Sequence, residues 1–297
     1  MFDYKLLAAL AAVVEQGGFE RAAQALGLSQ SAVSQRVKLL EARVGQPVLV
    51  RATPPQPTEL GRYLLNHVQQ VRLLERDVQR QVPGLEAPQG PPRLRIAINA
   101  DSLATWWAGA VAGYCQARTL LLEMLVEDQA VGLKRMRGGE VAACVCSAER
   151  PVAGARSLAL GAMRYRAVAS RGFIAHYLDG LIDGQALSRA PMLVFGPDDQ
   201  LQTRFLASLS SVPGAALHLC PSSEGFVRMA EAGLGWGLIP QQQITQALAD
   251  GELVDVMPGH WLDVPLYWHH WRHGGELLDG LTAHLQRQVR EQLVPLI

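Results

Sequence analysis

The most constraining feature of this sequence is the spacing of three small or apolar residues between positions 20 and 44. Ala23, Gly27 and Val33 follow one another, with a helical apolar pattern on either side. Two crossing helices need a small side chain at their contact and a residue tolerant of positive φ in the tight turn between them. The second helix also needs an apolar residue that faces inward. The three residues meet these needs in order, so the spacing predicts a helix-turn-helix.

Apolar periodicity and glycine stops predict three short helices around this turn, at residues 3–16, 19–26 and 30–44. Ser29 stands where an N-cap of the third helix is expected, because its hydroxyl can accept a free backbone N–H. A short strand at residues 48–51 and a proline-rich loop follow. This order predicts a winged helix-turn-helix.

The third helix has one apolar face and one polar face. Val33, Val37, Leu40 and Val44 recur at helical spacing and should face inward. The polar face carries amides, hydroxyls and cations, which can contact bases and phosphates in a DNA groove. Residues 30–51 hold four cations against one anion, whereas the whole chain carries 27 of each sign. The alternative is a generic amphipathic helix pair. The candidate DNA-binding residues are Ser29, Gln30, Ser31, Ser34, Gln35, Arg36, Lys38 and Arg51.

A long helix is predicted from Thr58 to about Val82. Its apolar residues recur at spacings of three and four, which is typical of a coiled-coil seam. Such a seam predicts a homodimer, because an isolated helix would leave an apolar stripe in water. Packing onto the chain's own domains is the alternative. The seam consists of Leu60, Leu64, Val68, Val71, Leu74, Val78 and Val82.

The second half of the chain has a different pattern. After a linker rich in proline and glycine that reaches Pro92, apolar strands alternate with helical stretches, which predicts an α/β architecture of the doubly wound kind. Strands are expected at 94–98, 120–126, 141–146, 166–169, 192–195, 216–219, 234–239, 253–256 and 266–271.

Several other classes of protein find little support. No apolar run is long enough to cross a bilayer, and the N-terminus has no signal-peptide pattern, so a cytoplasmic location is expected. The four cysteines form no CxxC pair, and four buried reduced thiols are expected. We predict no catalytic residue, no metal site and no cofactor, because no nucleophile, phosphate-loop or metal-ligand pattern is present.

The segments 19–26, 29–41, 45–51 and 57–61 resemble the LysR-type transcriptional regulators. Many members of that family read Ser-Arg-Gln-Ile where this chain reads Ser-Gln-Arg-Val at 34–37. This order is similar to that of a subgroup that responds to lysine and arginine and controls a basic amino-acid exporter. The segments 99–106, 222–227 and 267–269 also resemble that subgroup.

The resemblance implies an architecture and a set of partners. Residues 1–57 would form the winged helix-turn-helix, and 58–92 the linker and dimerisation helix with its hinge. Residues 93–297 would form an effector domain like a periplasmic binding protein, with lobe one at 93–161 and 267–297 and lobe two at 162–266. The implied partners are double-stranded promoter DNA, RNA polymerase and further copies of the chain, as homodimers that pair into tetramers. The implied ligand is a small effector, lysine or arginine.

Ligands in open α/β sheets bind at the carboxyl ends of the strands. A helix start favours a carboxylate, and aspartates that follow a strand favour an ammonium or guanidinium group. These rules select polar residues that follow predicted strands. The candidate effector-binding residues are Asn99, Asp101, Ser102, Ser147, Asp198, Asp199, Ser222, Ser223 and Glu224.

Two other functions remain as alternatives. The first is a solute-binding receptor of the periplasmic type with an incidental helical domain, which export of the chain would favour. The second is an enzyme on the α/β half, which turnover by that half would favour.

Overall fold

The computed structural model of the protein describes residues 3–50, 52–82, 91–126, 132–178, 182–212, 214 and 216–296. Arg51 and most of the expected linker lie outside these described residues. None of the described helices is both long and apolar enough to span a membrane.

The N-terminal part contains four helices and a small two-stranded sheet. An apolar core joins α1, α2 and α3 to the start of α4, as the apolar spacing predicts. Strands β1 and β2 pair antiparallel and form the wing. The elements are α1 Tyr4–Glu15, α2 Phe19–Leu26, α3 Gln30–Val44, β1 Leu49–Val50, β2 Gln56–Pro57 and α4 Glu59–Gln81.

The long helix α4 divides the predicted apolar seam into two parts. Leu64 and Val68 are buried in the N-terminal core, so this part of the seam packs within the chain itself. Leu74, Val78 and Val82 instead remain 44%, 52% and 44% exposed. The first half of the seam therefore packs within the chain, and the dimer interpretation of the second half remains a prediction.

The C-terminal part is built on one mixed sheet with strand order β10-β6-β11-β5-β3-β4, in which β9 also pairs with β6. A separate parallel pair is formed by β7 and β8. The strands are β3 Arg93–Ile98, β4 Leu121–Val126, β5 Ala143–Cys146, β6 Ala155–Ser170, β7 Met192–Val194, β8 Leu217–Leu219, β9 Gly237–Pro240, β10 Leu253–Asp255 and β11 Trp261–Trp271.

Helices cover this sheet and complete the α/β architecture that the sequence predicts. Between α5 and α6 the helix continues through a π-helical turn, Leu103–Trp107, and a 3₁₀ turn, Val289–Glu291, follows α13. The helices are α5 Ala100–Ser102, α6 Ala108–Arg118, α7 Gly132–Arg137, α8 Arg171–Tyr177, α9 Gly184–Arg189, α10 Leu201–Ser208, α11 Ser223–Glu231, α12 Gln241–Asp250 and α13 Gly275–Gln288.

The two longest strands correct the sequence prediction. The sequence predicts separate short strands at 166–169 and 266–271, but β6 and β11 are long and pair antiparallel along their length. Gly161 and Pro265, which suggest breaks in a strand, lie inside them. Gly161 has a φ of 139°, a conformation that glycine adopts readily. It pairs with Leu266, and the register of the two strands shifts just after this pair. The predicted lobe boundaries fall at this irregularity and remain a prediction.

The cysteines differ in one respect from the expectation. All four are free, but Cys115 is only half-buried, whereas the other three are buried.

Candidate functional site

The helix-turn-helix has the geometry that its spacing predicts. Gly27 follows α2 with a left-handed φ of 63°, and Ala23 is 5% exposed. Ser29 caps α3, since its hydroxyl accepts the Ala32 N–H at 3.2 Å. Val33 and Val37 are buried beneath. The apolar face of α3 is therefore fixed against its own domain, and the opposite face is turned to solvent.

The structure places the predicted DNA-reading residues on this outer face. Ser34 and Arg36 are half-buried, and the other described members are exposed. Arg51, the predicted contact from the wing, lies outside the described residues. Arg43 at the end of α3 pairs with Asp3 at 3.5 Å, which offsets part of the local positive charge. The exposed members are Ser29, Gln30, Ser31, Gln35 and Lys38.

A hydrogen bond joins the residue just before the wing to α3. The Glu41 carboxylate on α3 accepts the Val48 N–H at 2.9 Å, just before β1. On the other side, α4 approaches so closely that a Cβ on Gly61 would overlap the Val48 carbonyl oxygen. Val48 is thereby held by both α3 and α4. The residue that precedes β1 is therefore in contact with both helices.

The predicted effector residues come from two pairs of parallel strands. Asn99 and Ser147 follow the parallel strands β3 and β5. Asp199 and Ser222 lie beyond the ends of the parallel strands β7 and β8. The carboxyl ends of parallel strands are the usual place for ligands in α/β folds.

Asp101, which follows β3, contacts Ser223, which follows β8. Its Oδ1 accepts a hydrogen bond from Ser223 Oγ at 2.5 Å, and its Oδ2 accepts one from Tyr165 OH at 2.7 Å. Ser223 Oγ also lies 3.0 Å from Gln243 Oε1. Residues far apart in sequence thus meet at a single carboxylate.

A small cavity lies beside this cluster. Its polar lining comes from Asp101, Asp199, Ser223 and Gln243. The apolar lining is Phe195, Leu201, Phe226, Leu238, Ile239 and Pro240. Two carboxylates beside apolar walls match the chemistry of a ligand with a cationic group and an aliphatic chain. The space in this structure is about 20 Å³, which holds no more than a water-sized group, so a larger ligand requires the cavity to open.

The pKa of Asp101 is consistent with a cationic ligand at this position. Burial raises the pKa of the Asp101 carboxyl above its ordinary value. The hydrogen bonds from Ser223 and Tyr165 lower this pKa in part, and the nearby Asp199 carboxylate raises it further. A cation placed between the two carboxylates would relieve both the burial and the repulsion.

The other predicted effector residues have different surroundings. Asp199 accepts the N–H groups of Phe195 at 2.9 Å and Leu201 at 3.0 Å, so its carboxylate also shapes its own loop. Ser222 caps α11 by accepting the Gly225 N–H at 3.1 Å. Asp198 and Glu224 are exposed, and Ser147 is half-buried.

Three buried polar side chains near the cluster have no hydrogen-bond partner among the described residues. Asn99 and Gln202 leave both amide atoms unpaired, and Ser102 leaves its hydroxyl unpaired. Their exposures are 4%, 1% and 0%. An unpaired buried group costs about 1–3 kcal/mol, so such groups often mark a place where a ligand or water meets the protein.

Sequence reasoning missed Tyr165, Gln243 and Gln202. Tyr165 lies in the part of β6 that was not predicted as a strand. Gln202 could have been found, because it shares one face of α10 with Phe205 and Leu206, and a glutamine on an apolar face stands out. The contact of Gln243 with Ser223 depends on tertiary packing and has no local signal.

Comparison with known proteins defines the class. The family described as "Bacterial regulatory helix-turn-helix protein, lysR family" matches residues 4–62, and the "LysR substrate binding domain" matches residues 88–292. The chain belongs to the LysR family of transcriptional regulators. The full-length OxyR C199D structure from Pseudomonas aeruginosa, at 15% identity and a TM-score of 0.68, shares the fold over 98% of both chains.

More similar proteins narrow this to one type of regulator. The HTH-type transcriptional regulator ArgP of Pseudomonas aeruginosa is 68% identical over 294 residues, covering 99% of this chain and 98% of that protein. The crystal structure of ArgP from Mycobacterium tuberculosis has a TM-score of 0.89 and 37% identity, with 99% of both chains covered. LysG from Corynebacterium glutamicum with bound effector Arg has a TM-score of 0.78 and 35% identity, covering 99% of this chain and all of that one.

The raised pKa of Asp101 predicts how stability depends on pH. The folded protein holds this proton more tightly than the unfolded chain, in which the pKa is about 3.9. The carboxyl therefore contributes most to the free energy of unfolding at low pH, and the contribution falls as pH rises through the folded-state pKa. We expect the difference between the native protein and Asp101→Asn to fall in this way across a pH series of urea unfolding curves. Asp198→Asn is the matched control, and a difference that rises with pH would contradict the assignment.

Proposed function

We propose that this protein is a promoter-binding regulator whose affinity for DNA is changed by a basic amino acid bound in the α/β half. The observation that carries the proposal is the pair of carboxylates, Asp101 and Asp199, beside an apolar cavity in a chain whose helix α3 presents a free polar face. The bound arginine of the similar LysG supports this ligand class. In this proposal the protein acts in the cytoplasm, and its target is an amino-acid exporter gene.

The proposed DNA contact uses α3 as the major-groove helix. Gln30 can bond an adenine edge in bidentate fashion, and Ser34 can reach a base or a phosphate. Lys38 is exposed one turn beyond Ser34, where a cation serves phosphate contacts. Ser29, Ser31, Gln35 and Arg36 flank these positions, and Arg51 would contribute from the wing.

The proposed homodimer uses the second half of α4. Leu74, Val78 and Val82 recur at spacings of four residues and stay exposed in the single chain. A second copy of the helix would cover this stripe in the manner of a coiled coil. Dimers would place two reading helices on one promoter, and the family architecture adds tetramers and RNA polymerase as further partners.

The proposed effector site combines two chemistries. In the proposed complex the cavity would open, the cationic end of lysine or arginine would lie between Asp101 and Asp199, and its aliphatic chain would lie against Phe195 and Phe226. The unpaired groups of Asn99, Ser102 and Gln202 do not line the cavity in this structure, and in the proposed complex they would supply donors and acceptors for the amino-acid head group. Ser147, Ser222 and Ser223 complete the proposed surroundings, whereas the exposed Asp198 and Glu224 lie outside them.

Substitutions on α3 test the DNA contact. We expect Gln30→Ala or Ser34→Ala to weaken binding to a selected sequence by about 1–3 kcal/mol for each base that the side chain no longer reads. Lys38→Ala should weaken binding to every sequence and reduce the slope of log K against log salt by about 1. Fluorescence anisotropy with DNA enriched from a random pool measures both. Gln116→Ala, an exposed glutamine on α6, is the control. Binding that is absent in the native protein, or independent of salt, would refute the DNA function.

Substitution of Asp101 tests the effector site. Hydrogen bonds to charged groups are worth about 1.5–3 kcal/mol, so Asp101→Asn should lower arginine affinity at least about tenfold. Calorimetry on the full chain measures this for arginine, lysine and the uncharged analogue citrulline. The exposed Asp198→Asn provides a matched control and should retain more affinity. If citrulline bound as well as arginine, cation recognition would be wrong.

A charge in the exposed stripe tests the dimer. Val78→Glu places a carboxylate where two apolar surfaces should meet, which a coiled-coil core strongly disfavours. We expect a shift from dimer to monomer in analytical ultracentrifugation. Glu75→Gln on the same exposed side of the chain should leave the dimer intact. A native protein that is monomeric at micromolar concentration would contradict the proposal.

A further inference from the structure

Helix α4 contacts the α/β half of its own chain at two separate points. The first is Gly139, in the turn after α7, whose φ is 70°. A Cβ at this position would lie 2.7 Å from Asn66 Cα, which is closer than real Cβ atoms approach. Glycine therefore permits a direct contact between the backbone of the turn and the backbone of α4.

The second point lies about three turns further along α4. The Asp77 carboxylate accepts the backbone N–H of Glu276 at 2.7 Å, in the first turn of α13. A Cβ on Gly275 would overlap Asp77 Oδ2, so this position also favours glycine. Gly274, which precedes α13, provides no side-chain cap. Asp77 thus acts as the N-cap of a helix in another part of the chain.

The Asp77 contact reaches a firmly packed part of the α/β half. Leu278, Leu281 and Leu285 of α13 are fully buried in the main core, and the Leu277 carbonyl oxygen accepts the Tyr114 hydroxyl at 2.8 Å. A carboxylate at a helix N-terminus satisfies a free N–H and is favoured by the helix dipole. Two separated contacts on a rigid helix fix both its position and its direction.

We propose that the Asp77 cap and the Gly139 contact hold α4 and the α/β half as one body, and that this interface carries the effect of the effector to the DNA-reading domain. The inference rests on the proposed function for its effector and DNA readouts. The interface itself is defined by contacts within one chain. The exposed stripe of Leu74, Val78 and Val82 stays available for a second copy.

The first test uses Asp77→Ala in the full-length protein, with Glu75→Ala as the matched control on the same helix. Hydrogen–deuterium exchange of the Glu276 amide reports the cap directly, and this amide should exchange roughly fivefold faster in Asp77→Ala, the size expected when one helix cap is removed. Asp77→Asn keeps an acceptor oxygen and should restore most of the protection. Unchanged exchange in Asp77→Ala would overturn the interface.

The second readout is the ratio of DNA dissociation constants with and without arginine. Asp77→Ala and Gly139→Ala should each bring this ratio several-fold closer to one, while arginine affinity in calorimetry stays within about twofold. Gly113→Ala, at a helical glycine with open space around it, is the control for the glycine change. A ratio that stays native in both variants would overturn the coupling. If the DNA affinity of the native protein did not change with arginine, the proposed function would be refuted. The exchange rate of the Glu276 amide would still test the interface.

Discussion

The antiparallel pairing of β6 and β11 is the constraint on which the C-terminal half depends. One half of β11 pairs with both β5 and β6, and the other half pairs with β6 alone, while β9 and β10 attach to β6. The parallel strands β3, β4 and β5 therefore lie on the β11 side of this pair, and β9 and β10 lie on the β6 side. Because Tyr165 belongs to β6, the same pairing also fixes the hydroxyl that holds Asp101.

Much of this structure could be predicted from local signals. Gly27, Ser29 and the buried valines of α3 gave correct helix bounds, because turn chemistry and capping act over a few residues. The length of β6 could not be predicted, since Gly161 inside it reads as a break and only its pairing with β11 keeps the strand continuous. The seam on α4 was ambiguous for a similar reason, because periodicity does not say which protein surface covers each residue.

The candidate effector site was predictable only in outline. The rule on strand ends selected Asp101 and Ser223, which do meet, but it also selected Asp198 and Glu224, which are exposed. The rule fixes where a loop emerges, not where its side chains point. Gln202 and Tyr165 come from a helix face and a strand interior, which the rule does not consider. Burial without a partner identifies Gln202 once the packing is known.

The bond between Glu41 and Val48 has a consequence for the proposed DNA contact. In the proposed complex, this bond and the close approach of α4 to Val48 would hold the base of the wing beside α3, and the protein would then set the spacing between the two contacts on the duplex. A duplex whose groove width or bend does not match must deform, and the energy of deformation depends on how stiff its base steps are. Base pairs that no side chain touches would then still influence affinity, through indirect readout of DNA shape.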